Sequence, residues 1–275
     1  MGAERMEFAE GPAVRMALAV ATAELRDAGC DTPRLDAELL LADAMGTTRT
    51  QLHLAPEREL TRAESDRFAA LLRRRRAREP VAYVLGTRAF RYIELKVDDR
   101  VLVPRPESEG LVEAGLKLPT GARVVDVGTG SGAIALALKD ERPDLAVTAS
   151  DISPEALAAA RANAARLGLD VAFAQADLVP PGAWDVIVSN PPYVADGDEL
   201  GADVRAHEPP LALFAGADGL DVLRRLVAVR APLLVVEVGA GQAAQVAALA
   251  RAGGYAHTQL RPDLAGIDRV VVAWG

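Results

Sequence analysis

Cysteine is nearly absent, with Cys30 the only one in 275 residues. A single thiol excludes an internal disulfide and any site built on a cysteine cluster. Histidine is scarce as well. His53, His207 and His257 stand far apart and show no zinc-type ligand spacing, so no metal site is expected. No uninterrupted apolar run reaches the roughly 18 residues that a membrane-spanning helix needs. The acidic opening stretch, with Glu4, Glu7 and Glu10, does not have the form of a secretory signal. A cytoplasmic protein without a membrane partner is the expectation. Positive charge is also in deficit, since 31 Lys and Arg against 39 Asp and Glu leave a net charge of −8. Proteins that hold nucleic acid over a whole surface are usually basic, so a direct nucleic-acid partner would require a local patch.

What is present is ample core material. Half the residues are hydrophobic, and the length suits one large or two modest domains. The first hundred residues read as helical. Gly11-Pro12 opens a run carrying Val14, Leu18 and Leu25 that ends near Gly29. Thr32-Pro33 has the form of an N-cap followed by proline at the first helical position, ahead of Leu35, Leu39, Leu40 and Met45, with Gly46 as the stop. Thr61 with Glu64 fits a capping box for a helix through Phe68, Leu71 and Leu72. That helix runs into Arg73-Arg74-Arg75-Arg76 and Arg78, either a solvated helix end or a docking surface for an acidic or RNA-associated partner. Alternating apolar positions between Val81 and Val103, among them Tyr83, Phe90, Ile93 and Leu95, predict a short hairpin. The expected organisation is a helical domain over 1–80, a hairpin linker over 81–110 and an α/β domain over 111–275.

From Arg123 the pattern alternates strand and helix, with strands at 124–127, 145–149, 171–174, 184–188 and 233–238. Helices follow at 133–138, 153–167, 220–229 and 242–252, and two last strands at 255–260 and 269–273 suggest an antiparallel edge. Such alternation predicts a doubly wound α/β sheet with helices on both faces.

Gly128-Thr129-Gly130-Ser131-Gly132 falls between a strand and a helix, where glycine allows a sharp turn and close approach of a ligand to the backbone. Asp151 ends the next strand, where a carboxylate can accept two ribose hydroxyls. These residues alone also satisfy a dinucleotide fingerprint, so a nicotinamide cofactor stays open. Asp126 favours S-adenosylmethionine, because a carboxylate there suits an ammonium and repels a pyrophosphate. Asp177, followed by Leu178, ends the third strand and could accept from an adenine amino group.

Ser189-Asn190-Pro191-Pro192-Tyr193 closes the fourth strand. Two prolines cannot continue the ladder, so the chain stops and presents an amide, carbonyls and a ring at the edge where α/β sheets bind ligands. Asn190 Oδ1 and the Pro191 carbonyl can each accept one N–H of a planar NH2 group, while Tyr193 can wall in something flat. Methyl transfer to a planar nitrogen follows, and either an adenine or an amide satisfies it.

Beyond these two motifs, the chain resembles the HemK/PrmC group of class I S-adenosylmethionine methyltransferases. The resemblance is carried by Leu35-Asp36-Ala37-Glu38-Leu39-Leu40-Leu41, Glu79-Pro80, Val103-Pro104-Arg105-Pro106-Glu107, Asp126 to Gly132 and Asn190 to Tyr193. It continues through His207-Glu208-Pro209, Glu237-Val238-Gly239 with Gln242, and Asp263-Leu264-Ala265-Gly266. It implies a Rossmann-like class I methyltransferase fold with a small N-terminal helical domain. It further implies methylation, with S-adenosylhomocysteine as coproduct, of the Gly-Gly-Gln glutamine of class I peptide chain release factors by a monomer. On this resemblance Asp126, Gly128, Thr129, Gly130, Ser131, Gly132, Asp151, Asp177, Leu178 and Asn190 would bind the cofactor. Asn190, Pro191, Pro192, Tyr193, Arg105 and Glu107 would bind substrate, with Asn190, Pro191 and Tyr193 catalytic and Glu208 orienting the Asn190 loop. Ser108 stands where the group generally has threonine, Arg91-Tyr92 replaces an aromatic–glycine step, and Leu178 takes a place that some members fill with an aromatic. A ribosomal-protein glutamine or an N6-adenine target are the alternatives; the acidic net charge and the absence of a recognisable base-flipping domain count against the latter.

Overall fold

The computed structural model describes residues 11–275. Glu4, Glu7 and Glu10 therefore lie outside the described residues. The chain divides into two compact units, one of residues up to Gly86 together with Gly201–His207, the other of Thr87–Leu200 and Glu208–Gly275. The boundaries expected at 80 and 110 differ from this division, because the hairpin belongs with the α/β unit rather than forming a linker.

In the helical unit, α1 (Val14–Asp27), α2 (Pro33–Ala44), α3 (Arg49–Leu54), α4 (Arg62–Arg76) and α5 (Val81–Leu85) surround a core of Leu18, Leu25, Leu40, Leu41, Leu52 and Phe68. Two details depart from expectation on α2. Leu35 is exposed, the inward stripe being Ala37, Leu40 and Leu41, and the Thr32 hydroxyl donates to Asp36 Oδ1 (2.7 Å) instead of capping the backbone. The capping boxes of Thr61 with Glu64 and of Thr48 with Gln51 are formed. The second starts α3, a helix whose signal in the sequence was present but unread. Val81–Leu85, expected in a hairpin, is the helix α5: Pro80 fixes its start and Gly86, at φ 72°, ends it.

The arginine run is mixed: Arg73, Arg74 and Arg76 are exposed at the helix end, whereas Arg75 is drawn inside. Arg75 is buried and donates to Asp36 Oδ2 (2.7 Å) and the Glu79 carbonyl (3.1 Å), and it pairs with Asp203 at 2.7 Å. Asp203 comes from α9 (Ala202–His207) and is also held by Arg78. Arg74 pairs with Glu79 and Arg76 with Glu24. Four of the five charges are thus paired within the unit, and Arg75 and Arg78 hold a short helix from a distant part of the sequence.

The α/β unit begins with the antiparallel pair β1 (Thr87–Phe90) and β2 (Ile93–Lys96), then a 3₁₀ turn at Pro106–Ser108 leading into α6 (Glu109–Gly115). Next come β3 (Arg123–Val127), α7 (Ala133–Glu141), β4 (Ala146–Asp151), α8 (Pro154–Leu167), β5 (Ala172–Gln175) and β6 (Val186–Ser189). The chain continues with α10 (Asp221–Val229), β7 (Leu233–Glu237), α11 (Ala243–Ala252), β8 (His257–Pro262) and β9 (Asp268–Trp274). The seven strands lie in the order β5-β4-β3-β6-β7-β9-β8. β9 inserts antiparallel between β7 and β8, so that β8 alone forms that edge. The central strands are buried except at the first residues of β3 and β7, the expected state of a parallel sheet covered on both faces. Register fixes the edge: Val127 pairs with Ser150 on one side and Ser189 on the other, and Ser189 pairs with Val236. One residue further along each chain, Gly128, Asp151, Asn190 and Glu237 stand side by side at the C-terminal edge of the sheet. The strand order reverses between β3 and β6, the position where doubly wound sheets open a crevice.

Removing Arg75 strips the buried Asp36 carboxylate of its counter-charge and leaves the part-buried Asp203 with Arg78 alone. Arg75→Ala is expected to destabilise the protein by about 3–5 kcal/mol, whereas Arg73→Ala, at an exposed position, changes stability by less than about 0.5 kcal/mol. Urea melts of the two variants provide the check.

Candidate active site

The glycine loop is built from its own backbone conformations. Gly128 and Gly130 have φ of 71° and 55°, and a Cβ on either would project into open space. That open space is the cleft, so both glycines clear the way for a ligand as well as permitting the turn. Gly132 serves differently, because a Cβ there would lie 2.9 Å from Leu136 and 3.3 Å from Ala160. It lets α7 pack closely on α8.

Asp126 lies beneath the loop and is fully buried. Its Oδ2 accepts from the Thr129 hydroxyl (2.6 Å) and the Ala135 N–H (3.2 Å), while Oδ1 has no partner among the described residues. Burial pushes its carboxyl up to about 7. Asp151 binds the loop from the other side, accepting from Gly130 N–H (2.9 Å) on one oxygen and Ser153 N–H (2.9 Å) on the other. Burial raises its pKa as well.

A cleft of about 230 Å³ runs along this edge, lined by Gly128, Gly130, Asp151, Leu178, Asn190 and Pro191 among others. Leu178 holds a positive φ of 76° and supplies an apolar wall. Asp177 also borders the cleft, with its carboxylate engaged by Arg225 at 2.8 Å, and so does Pro192. A smaller chamber of about 50 Å³ opens on the far side of Asn190, between Phe90, Pro104, Arg105, Thr129 and Ser131. Asn190, Gly128 and Gly130 border both spaces, which places Asn190 at the passage between them.

Asp126, Gly132, Glu107 and Tyr193 line neither space. Asp126 holds the loop from below instead of facing the cleft. The half-buried Tyr193 ring packs on the core cluster of β7, α10 and α11. Its hydroxyl donates to Glu237 Oε1 (3.2 Å) and its carbonyl accepts from Gln242 Nε2 (2.9 Å). Tyr193 therefore anchors the loop through its hydroxyl and its carbonyl. Glu208, which is buried, accepts from Val103 N–H (3.3 Å) and pairs with Arg105, so it fixes the Val103–Glu107 segment. With its guanidinium committed to Glu208, Arg105 shapes the chamber as part of a pinned loop. The segment and Asn190 meet at Ser108, whose Oγ accepts from Asn190 Nδ2 (2.9 Å) and donates to Glu237 Oε2 (2.6 Å).

Glu237 is the residue that sequence reading missed as part of the site. It is 1% exposed, and burial pushes it up to about 7. The signal available was an acidic residue closing an otherwise apolar strand.

Among the described residues, no three His, Cys, Asp or Glu come together as a metal site, and no helix is long and apolar enough to cross a membrane. Residues 16–86 match the PrmC N-terminal domain family and residues 108–206 the methyltransferase small domain family. The catalytic domain of hMettl16, solved in complex with the MAT2A 3'UTR hairpin 1, is similar with a TM-score of 0.54 at 16% identity, covering 73% of this chain and 80% of that one. The sheet order, the glycine loop and this likeness define a class I methyltransferase fold. The release factor glutamine methyltransferase of Deinococcus radiodurans is 43% identical over 272 residues, covering 94% of this chain and 98% of that protein. That of Neisseria gonorrhoeae is 43% identical over 254 residues, covering 87% and 93%. The chain belongs to the release factor glutamine methyltransferase family.

Because the folded state holds Asp126 and Glu237 protonated to higher pH than the unfolded chain does, the unfolded state ionises first. Stability attributable to these groups is full below about pH 4 and is lost as pH rises to about 7. Glu237→Gln is accordingly expected to melt higher relative to the parent at pH 8 than at pH 5, in parallel thermal scans.

Proposed function

We infer that this chain transfers a methyl group from S-adenosylmethionine to the side-chain amide nitrogen of a glutamine in class I peptide chain release factors, working in the cytoplasm. The observation that carries the chemistry is the place of Asn190. It borders both the cleft and the small chamber, and its Nδ2 is committed to Ser108, which leaves Oδ1 as the group available to a substrate.

The residues present fit the cofactor. Gly128 and Gly130 leave backbone room, Asp151 retains acceptor capacity for hydroxyls, and Leu178 with Pro191 and Pro192 offers apolar walls to a flat ring. Asp177 borders the same cleft as an acceptor for an amino group. The Oδ1 of Asp126, without a partner among the described residues, leaves acceptor capacity beneath the loop. When bound, S-adenosylmethionine supplies an electrophilic methyl on its sulfonium.

An amide nitrogen is a poor nucleophile because its lone pair is delocalised into the carbonyl. Asn190 Oδ1 and the Pro191 carbonyl each accept one N–H of the glutamine amide. Both hydrogens are then directed away from the transfer axis, and positive charge growing on nitrogen is favoured. Orientation of this kind can contribute about 7–11 kcal/mol to lowering the barrier. No base is needed before transfer, since the proton departs from the alkylated nitrogen afterwards. Arg105, pinned by Glu208, and Glu107 frame the approach of the residues flanking the glutamine, and the helical unit supplies the recognition surface for the release factor.

Mass spectrometry of the Gly-Gly-Gln peptide after incubation of a release factor with enzyme and S-adenosylmethionine is expected to show a gain of one methyl on glutamine. Asn190→Ala is expected to lower the rate by about 100- to 1,000-fold, as for removal of one preorganised polar group in other active sites. Label transferred to DNA and not to the release factor would overturn the assignment.

A further inference from the structure

We propose that Glu237 is a positioning residue which, through Ser108, fixes which end of the Asn190 side-chain amide faces the substrate. This rests on the role given above to Asn190 and adds the reason for its orientation.

A side-chain amide has two nearly isosteric ends, one a donor and the other an acceptor. Only the oxygen end can grip an NH2 group; the nitrogen end would set donor against donor. Asn190 has no intrinsic preference between them, so something further away must choose. The candidate is a three-member chain: Asn190 Nδ2 donates to Ser108 Oγ at 2.9 Å, and Ser108 Oγ donates to Glu237 Oε2 at 2.6 Å. A hydroxyl can donate or accept, so Ser108 sets no direction by itself. An ionised carboxylate only accepts. With Glu237 at the end, the Ser108 hydrogen must point to Glu237, its lone pair must face Asn190, and Asn190 must answer with N–H. The Asn190 oxygen is thereby turned to the substrate side.

The second carboxylate oxygen sets the loop itself. Tyr193 Oη donates to Glu237 Oε1 at 3.2 Å, so both ends of the Asn190–Tyr193 turn are referred to one buried carboxylate. Protonated Glu237 could donate to Ser108 instead, whose hydrogen would then point at Asn190 and favour the reversed amide. Direction is therefore conditional on ionisation. The charged and titratable groups facing Glu237 are Tyr193, Glu107 from the 3₁₀ turn and Arg269 from β9. α6, which also packs on β7, directs Glu109 to the Arg91 N–H. Arg269 favours the charged form and Glu107 opposes it.

The test is steady-state methylation of release factor by Ser108→Ala, Ser108→Thr, Glu237→Gln and Asn190→Ala proteins from pH 6 to 9, with S-adenosylmethionine binding followed by calorimetry. Ser108→Ala and Glu237→Gln are expected to lower kcat by about 10- to 100-fold, the usual effect of removing a group that orients a site residue. Their cofactor Kd should stay within about twofold, and Ser108→Thr, which keeps the hydroxyl, should restore kcat. Parent kcat should fall as pH drops below about 7, where Glu237 takes up its proton, while Glu237→Gln shows a flat profile. Parent kcat in Ser108→Ala, or an undiminished fall at low pH in Glu237→Gln, overturns the proposal. Should Ser108→Ala fail to fold, the pH comparison of parent with Glu237→Gln decides alone. Full activity in Asn190→Ala would instead sink the role of Asn190, and an inactive Asn190→Ala beside fully active Ser108→Ala and Glu237→Gln would sink only the orienting chain.

Discussion

Register between parallel strands is the constraint on which the rest depends. Once Val127 lies opposite Ser150 and Ser189, and Ser189 opposite Val236, four segments must leave the sheet at one edge in a fixed order. A slip of one residue in any pairing would turn every side chain of that strand to the other face. The buried valines and isoleucines that forbid such a slip therefore aim the site as well. Asp151, Gly128, Asn190 and Glu237 are neighbours in space because Val124, Val125, Ile187 and Val235 are packed in the core.

What could be read from the sequence was whatever is encoded locally. The glycine loop announces itself through residues whose backbone conformation few others adopt, and the Pro191-Pro192 pair marks the end of a strand without help from elsewhere. Glu237 carried no such mark. Its partners are Ser108, 129 positions away, and Tyr193, 44 away, and neither separation is visible in a pattern of period 2 or 3.6. Within the arginine run, Arg75 was hidden for a related reason. Five arginines suggest a uniform surface, yet the partners that distinguish Arg75 are Asp36 on α2 and Asp203 on α9. Val81–Leu85 was ambiguous at the local level, since five apolar-rich residues between Pro80 and Gly86 suit a strand or a single helical turn, and packing decided for the helix.

The site is costly to hold. Asp126 and Glu237 are buried carboxylates in surroundings that oppose their charge, each raised to about 7. Neither is compensated by a buried arginine in the way Asp36 is by Arg75. A core built for stability alone would place an apolar residue at position 237 and lose the acceptor that orders Ser108 and Tyr193. Stability given up at a site in exchange for defined hydrogen-bond direction is a familiar trade.

The grip on nitrogen does not by itself choose a substrate. Asn190 Oδ1 and the Pro191 carbonyl would accept equally from an adenine amino group or a glutamine amide, and the hMettl16 catalytic domain, solved with an RNA hairpin, has the same fold. Discrimination has to come from what the chamber admits and what lies over it. Here the Val103–Glu107 segment closes one side, and Glu208 ties it down through the Val103 N–H and Arg105. Ser108, the residue next after that segment, is also the middle member of the chain that orients Asn190. On the proposed function, selection of the substrate and orientation of the acceptor would be joined within six consecutive residues, so a change that loosens the segment should disturb both together.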